Sequence, residues 1–132
     1  MAFNLFKPAP AETHLPYSIS YWIHPLRMKA HSGDYSLLKV TVKNSQPSEM
    51  LTSLVVLVPK GLGFDGSGLS QKKEVRLGLL APGEEKTIPL KVWANQRSQP
   101  GKYTVKMFVL SHYRDYSHTL NQVRHEFSVR LV

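Results

Sequence analysis

The chain has 132 residues, enough for one domain with a substantial core and too few for two domains of ordinary size. Its 42% hydrophobic and 20% charged residues exclude a disordered chain, and the absence of cysteine excludes disulfides, thiolate metal sites and a cysteine nucleophile. Seventeen Lys and Arg against nine Asp and Glu give a formal net charge of +8.

This positive charge would attract nucleic acid, an anionic lipid surface or an acidic protein. The basic residues are nevertheless spread along the chain, with no run longer than two, so the patch typical of nucleic-acid-binding proteins is missing. The N-terminal sequence MAFNLFKPAPAE lacks the features of a signal peptide, and no apolar run approaches the length of a membrane span. We therefore expect a cytoplasmic protein with no transmembrane segment.

The chain divides into a tail and a series of strands. Residues 1–16 contain Pro8, Pro10 and Pro16, which favour an extended conformation. Seven segments of strand length follow, most of them alternating between apolar and polar residues: 17–23, 35–44, 51–58, 72–80, 87–93, 102–113 and 123–132. Turn pairs such as Pro82-Gly83 and Pro100-Gly101 separate them, and no apolar period of helix length occurs. The sequence predicts an all-β protein, a seven-stranded antiparallel immunoglobulin-like sandwich over residues 17–132.

The alternation also assigns side chains to the core. In the fourth segment it predicts Val75, Leu77 and Leu79 on the core face. In the last segment it places His125 on the core face beside Phe127.

The loop after the third segment contains a G-x-G-x-x-G spacing at Gly61, Gly63 and Gly66. A dinucleotide-binding turn requires a helix directly after these glycines, because its amides bind the pyrophosphate. The following residues, SGLSQKKEVRLG, have no helical period, and Asp65 lacks the further oxygen ligands of a calcium loop. We expect a flexible connection between the sheets and no bound cofactor.

The segment LGLLAPGEEKTIPLKVWANQRSQPGKYTVKMFV carries the motifs L-x-P-G-E and P-G-x-Y-x-V, and VKNSQPSEM with LVVLVPKGL precedes it. These motifs resemble the immunoglobulin-like accessory domains of the cell-adhesion-related (CARDB) type and of the alpha-galactosidase-associated type, over residues 35–132. The resemblance implies a non-catalytic module for spacing, adhesion or carbohydrate-related interactions. It also implies that Tyr103 occupies the tyrosine-corner position, where its hydroxyl binds a nearby backbone group.

Four apolar side chains are predicted on the outer face of two strands that are neighbours in an immunoglobulin-like sandwich. They are Val55, Leu57, Phe108 and Leu110. An apolar stripe on a basic protein indicates a covered surface. The cover would be the chain's own tail through Phe3, Leu5 and Phe6, a second copy in a two-fold dimer, or another protein. Alternatively, a β-bulge would turn these residues inward.

The connection between the last two segments is rich in aromatic and charged residues. Its members are His112, Tyr113, Arg114, Asp115, Tyr116, His118 and Arg124. Such a loop is a candidate ligand site or, equally, a solvated hairpin. The spacings of His112, His118 and His125 match no familiar zinc pattern, and Asp115 and His118 have no nucleophile partner. We therefore expect neither a metal nor catalysis.

Two tryptophans, Trp22 and Trp93, are predicted to point outward, where they would stack on a sugar, anchor a partner or cap the sandwich. The main prediction is thus a non-catalytic protein-interaction module that forms a dimer or binds another protein. The alternative is a nucleic-acid or anionic-surface binder that uses Lys106, Arg114 and Arg124 with Tyr113 or Tyr116. A carbohydrate-binding accessory domain is a further alternative.

Overall fold

The computed structural model describes residues 15–132, and its strands run from Tyr17 to Leu131. The strands in chain order are β1 (Tyr17–His24), β2 (Arg27–Met28), β3 (Tyr35–Asn44), β4 (Met50–Leu57), β5 (Leu62–Gly63), β6 (Lys72–Leu80), β7 (Glu85–Ala94), β8 (Gly101–His112) and β9 (Thr119–Leu131). The predicted tail at residues 1–16 lies almost wholly outside the described residues. Within residues 15–132, no helix has the length and apolarity needed to cross a membrane.

The strands form a sandwich of two sheets. The four-stranded sheet has the order β1-β3-β7-β5, and the five-stranded sheet has the order β2-β9-β8-β4-β6. Every pairing is antiparallel except the short one between β2 and β9. The all-β sandwich is therefore confirmed, and all seven predicted strands form. The pattern missed β2 and β5 because two residues are too few to show a period.

The core lies between the inward faces of the two sheets, as the alternation predicts. In β3, Leu38, Val40 and Val42 are fully buried, whereas the intervening Lys39 and Lys43 are exposed. In β8, Val105, Met107 and Val109 are likewise fully buried. Side chains that stand alternately above and below a strand explain why one face of each sheet is apolar.

One core prediction was wrong, because a β-bulge shifts the end of β6. Thr52 of β4 lies opposite Gly78, but Ser53 lies opposite Arg76, so Leu77 is the extra residue. Gly78 adopts a φ of 77°, a conformation that favours glycine. The shift turns Leu79 outward, where it is 56% exposed, and buries Leu80 in its place.

The placement of His125 in the core was also wrong. His125 follows the alternation of Phe127, but its side chain is exposed. The sandwich is open at this flank, because β2 pairs only with the last residues of β9. Tyr21 of β1 packs at this flank: its ring stacks on Phe127 with the ring centres 4.1 Å apart, and it lies 5.9 Å from the His125 ring.

Two glycines of the glycine-rich loop lie close to neighbouring side chains. The loop carries the chain from β4 in one sheet to β5 in the other and back to β6. Gly61 has a φ of 98°, and a Cβ atom there would lie 2.6 Å from the ring of Tyr103. A Cβ atom on Gly68 would lie 2.7 Å from Asn95. Strand β6, and no helix, follows the glycines, so the loop does not form a dinucleotide-binding turn.

A turn lies near each of the two predicted Pro-Gly pairs, but the one between β7 and β8 lies before its Pro-Gly pair in the chain. At Pro82-Gly83, the N–H of Glu84 donates to the carbonyl of Ala81 at 3.0 Å, and Gly83 has a φ of 78°, as a type II turn requires. Between β7 and β8, the turn closes where the N–H of Ser98 donates to the Asn95 carbonyl. Pro100 lies after this turn.

Candidate functional site: the outer face of the five-stranded sheet

The four predicted apolar residues, here called the apolar quartet, lie together on the outer face of β4 and β8. Val55 is directly opposite Phe108, and the β4–β8 register is unbroken from Leu51 to Leu57. Leu57 and Leu110 lie in the rows on either side of this pair. All four side chains are half-buried, whereas their inward neighbours in both strands are fully buried. The bulge described above lies between β4 and β6 and does not turn the quartet inward.

Charged side chains frame the quartet in a regular order. In the first row, Val55 and Phe108 lie between Glu74 of β6 and Arg124 of β9. The guanidinium carbon of Arg124 lies 5.9 Å from the centre of the Phe108 ring.

In the second row, Leu57 and Lys106 lie between Lys72 of β6 and Glu126 of β9. Arg124 forms an ion pair with Glu126 of its own strand. These two rows each end in one acid and one base, in opposite order, whereas the row of Leu110 ends in Arg76 and Gln122.

Next to Leu110 the outer face holds a buried polar pair that the sequence patterns did not reveal, formed by Ser53, directly opposite Leu110, and His112. Ser53 Oγ lies 2.7 Å from His112 Nε2, and both residues are buried. His112 Nδ1 is also buried and has no partner among the described residues. Burial lowers the pKa of His112 below its ordinary value. This Ser–His pair is sealed from solvent, which favours a structural role over nucleophilic catalysis.

The loop between β8 and β9 covers the side chain of His112. The Tyr116 ring lies 5.1 Å from the His112 ring in an edge-to-face arrangement. The Tyr116 hydroxyl accepts a hydrogen bond from the N–H of Gly78 at 3.0 Å, and Arg76 lies 4.6 Å from its ring centre. The Tyr116 hydroxyl therefore provides an acceptor for the Gly78 N–H at the bulge and connects the loop to the edge strand β6.

The other polar residues of this loop bind one another. Asp115 accepts hydrogen bonds from the hydroxyl and N–H of Ser117 and lies 2.9 Å from His118 Nδ1. The Ser117 hydroxyl, followed by His118, lowers the pKa of Asp115 to about 2. Tyr113 and Arg114 form the exposed tip, with the guanidinium 5.1 Å from the ring centre.

The seven candidate ligand-loop residues are thus divided rather than brought into one site. Arg124 lies on β9 beside Phe108, His112 and Tyr116 pack together, and Asp115 and His118 stabilise the turn. His125 lies on the opposite face of β9, beside Tyr21. Within residues 15–132, no three or more His, Asp or Glu side chains are grouped as metal ligands would be.

Tyr103 stabilises the opposite end of the sandwich. Its hydroxyl donates to the Gln99 carbonyl at 2.7 Å and accepts from the Gln99 N–H at 3.0 Å. This is the geometry that a tyrosine corner requires. Next to it, an open depression of about 680 Å³ on the outer face is lined by Lys60, Lys102, Lys106 and the Arg124–Glu126 pair.

The two tryptophans lie on the outer face of the four-stranded sheet. Trp22 is on β1 and Trp93 on β7, and the two strands flank β3. Tyr35 of β3 is directly opposite Trp93, with the ring centres 4.7 Å apart. The alternation within single segments did not predict this surface, because only the strand order places β1, β3 and β7 side by side.

Comparison with known proteins adds information on the fold alone. No family model matches the sequence, and no curated protein matches it. The fold is immunoglobulin-like. It is similar to part of alpha-2-macroglobulin from Escherichia coli, with a TM-score of 0.64 and 16% identity over 89% of this chain. An alpha-2-macroglobulin mutant from Salmonella gives a TM-score of 0.65 and 18% identity, also over 89% of this chain. The chain covers only 7% of the length of each of these proteins.

The chain is also similar to the CARDB domain of a Pyrococcus furiosus protein, whose structure was solved in complex with di-metal ions. The TM-score is 0.53 and the identity 19%, over 88% of this chain and 89% of that one. These similarities confirm the immunoglobulin-like, CARDB-like fold that the motifs predicted. At such identities they show nothing further about activity or partners.

Proposed function

We propose that this chain is a non-catalytic protein-interaction module that associates with a second copy of itself through the outer face of the five-stranded sheet. The contact is centred on the apolar quartet. Its four side chains occupy three adjacent rows of two paired central strands and are only half-buried. A contiguous apolar patch on a protein of net charge +8 favours a partner surface.

The order of charges around the quartet favours a second copy as the partner. A two-fold axis parallel to the strands, between β4 and β8, exchanges the two ends of every row. Glu74 then faces Arg124 of the second copy, and Lys72 faces Glu126 of the second copy. Val55 faces Phe108 of the second copy in the same row. This self-complementary charge order is the observation that carries the proposal.

The acid and base at the two ends of a row cannot pair within one chain, although Arg124 pairs with Glu126 along β9. Glu74 on β6 and Arg124 on β9 are three strand spacings apart, or roughly 14 Å. The same separation applies to Lys72 and Glu126. A face-to-face dimer brings both pairs together and removes the quartet from water.

The expected contact is small. Three rows across four strands cover roughly 20 Å by 20 Å on each copy. This footprint is about half of the ~800 Å² per partner that a standard interface buries. Association should therefore be weak and dependent on concentration.

The experiment is a light-scattering mass measured over a range of concentrations, for the full chain and for a chain that lacks residues 1–14. A dimer in both cases supports the proposal. Association only after removal of residues 1–14, which contain Phe3, Leu5 and Phe6, would mean that this segment covers the quartet. Monomers in both cases at every concentration would overturn the proposal.

Nucleic-acid binding is a second candidate function, but two of the residues first considered for it have other contacts. Arg124 is paired with Glu126, and Tyr116 is bound to Gly78. Arg114 lies in the loop beyond His112, and His112 is itself about 13 Å along β8 from the row of Phe108. The opposite face of the sandwich supports this function better.

A further inference from the structure

The outer face of the four-stranded sheet combines aromatic side chains with lysines. Three consecutive rows cross this sheet, two over β1, β3 and β7 and one over β3 and β7 alone, and we call them together the aromatic–lysine face. The rows are Trp22–Lys39–Pro89, His24–Leu37–Lys91 and Tyr35–Trp93. The outward side chains of neighbouring strands in a row are directly adjacent, so these residues form one surface.

The large side chains of this face are open to solvent. Trp22 is 51% exposed and Tyr35 is 44% exposed, which is unusual for rings of this size on a soluble domain. The ammonium of Lys39 lies 5.3 Å from the centre of the Trp22 ring, and that of Lys91 lies 4.8 Å from the centre of the Tyr35 ring. Each exposed ring therefore has a cation beside it.

The charged side chains within the three rows are lysines. No acidic residue occupies the three rows. At one end of the rows the exposed Asp34 directly precedes Tyr35, and at the other end the first acid is Glu85, opposite Lys43 two rows beyond the row of Lys39. Together with the net charge of +8, this distribution favours an anionic ligand.

We propose that the aromatic–lysine face binds single-stranded nucleic acid. Binders of single strands combine lysines or arginines that contact the phosphates with aromatic rings on which bases stack. Lys39 and Lys91 would contact phosphates, and Trp22 and Tyr35 would stack with neighbouring bases.

Two other ligand classes fit this surface less well. An acidic protein would pair with the ammonium groups of Lys39 and Lys91, but it offers no bases to stack on Trp22 and Tyr35. A neutral sugar would gain nothing from these two ammonium groups. In a bound single strand, the phosphates contact the two ammonium groups and the bases stack on the aromatic rings.

The inference goes beyond the proposed dimer and does not depend on it. The aromatic–lysine face lies on the outside of the other sheet, so a dimer formed through the five-stranded sheet leaves it free. A dimer would display two such faces, one on each side.

The chain itself provides the spectroscopic signal for a test. Both of its tryptophans lie on the aromatic–lysine face, so intrinsic tryptophan fluorescence reports on this face alone. We would titrate the full chain with oligo(dT) and with oligo(U), and follow both tryptophan quenching and the anisotropy of labelled oligonucleotide. The titrations are repeated at several salt concentrations, because each neutralised phosphate contributes about −0.7 to the logarithmic salt slope for single strands.

The proposal predicts quenching that saturates together with the anisotropy. Tyr35→Ala should weaken binding between about 5-fold and about 150-fold, as expected for the loss of one stacked base. Combined Lys39→Gln and Lys91→Gln substitutions should reduce the magnitude of the salt slope by about 1.4. Lys102→Gln on the five-stranded sheet is the matched control and should preserve the quenching. A preference for one of the two oligonucleotides would identify RNA or DNA as the natural ligand.

Three results would overturn the proposal: no binding, binding without tryptophan quenching, or equal competition by poly-glutamate, which would indicate an acidic protein. Circular dichroism of each variant shows whether it remains folded. Phe108→Asp separates this proposal from the dimer, because a monomeric variant should bind oligonucleotide with the same affinity per chain.

Discussion

The Tyr116 hydroxyl accepts a hydrogen bond from the backbone N–H of Gly78, which lies 38 residues earlier in the chain. The contact joins the β8–β9 loop to the β-bulge of the edge strand β6. A bulge leaves a backbone group without a partner in the sheet, and here a side chain from another loop supplies that partner. The aromatic loop thus contributes to stability, and only its tip remains free.

Tyr116→Phe should lower the free energy of unfolding by about 1–2 kcal/mol, because the Gly78 N–H loses its acceptor at a partly buried site. Tyr113→Phe is the matched control: Tyr113 is exposed at the loop tip, and its loss should stay within about 0.5 kcal/mol. Urea unfolding of both variants measures the difference. Equal stabilities would show that water replaces the hydroxyl.

The glycines with a positive φ differ in how much space a Cβ atom would have. Gly61→Ala should destabilise the protein more than Gly83→Ala, although both glycines have a positive φ. A Cβ atom on Gly61 would collide with Tyr103 at 2.6 Å, whereas a Cβ atom on Gly83 meets nothing within 4 Å. Backbone strain alone costs about 1–3 kcal/mol at either site. Thermal unfolding should show an additional loss for Gly61→Ala, and equal losses would contradict the packing of the loop against Tyr103.

The stability of the protein should decrease below neutral pH because of His112. Burial lowers the pKa of this side chain in the folded state, whereas in the unfolded chain it titrates near 6.5. As the pH falls through about 6.5, the unfolded chain therefore binds a proton that the folded chain does not. The stabilisation is complete above about pH 6.5 and decreases as the pH falls towards the folded pKa.

Urea unfolding between about pH 7.5 and about pH 5 measures this dependence. His112→Gln should flatten it, because glutamine does not titrate. His118→Gln, which changes an exposed histidine of the same loop, should leave the His112 contribution in place. Parallel curves for the wild type and His112→Gln would show that His112 is not buried in its neutral form.

The two faces of β8 should respond differently to a charge. Phe108→Asp should leave the domain folded and prevent self-association, because Phe108 is half-buried on the outer face. Val105→Asp should unfold it, because Val105 is fully buried in the core and an unpaired carboxylate there is costly. Circular dichroism and solution mass measure both effects. Unfolding of Phe108→Asp would show that this side chain belongs to the core.

The sequence predicted the seven long strands because most of them alternate between apolar and polar residues over at least seven residues, and the segment 51–58 is apolar on both faces. It did not predict the end of β6, because a single extra residue at Leu77 reverses the alternation and leaves Leu79 outside. Nor did it predict the exposure of His125, which depends on how far β2 extends along its neighbour β9.

The candidate sites were harder to predict because they depend on strand order. The outward direction of the quartet follows from alternation, but its alignment with Glu74 and Arg124 requires the register of β6 and β9. The Ser53–His112 pair joins residues 59 positions apart, so no local pattern reveals it.

The central claim, a self-complementary contact, is tested most directly by charge exchange between Glu74 and Arg124. We would measure the mass by sedimentation equilibrium for Glu74→Arg, for Arg124→Glu and for the chain that carries both substitutions. Each single substitution places like charges opposite each other in the two-fold contact, so both variants should be monomeric. The double substitution restores opposite charges between copies and should recover the dimer, since these two positions are too far apart to pair within one chain. A double variant as monomeric as the single ones, or single variants that dimerise like the wild type, would contradict the proposed contact.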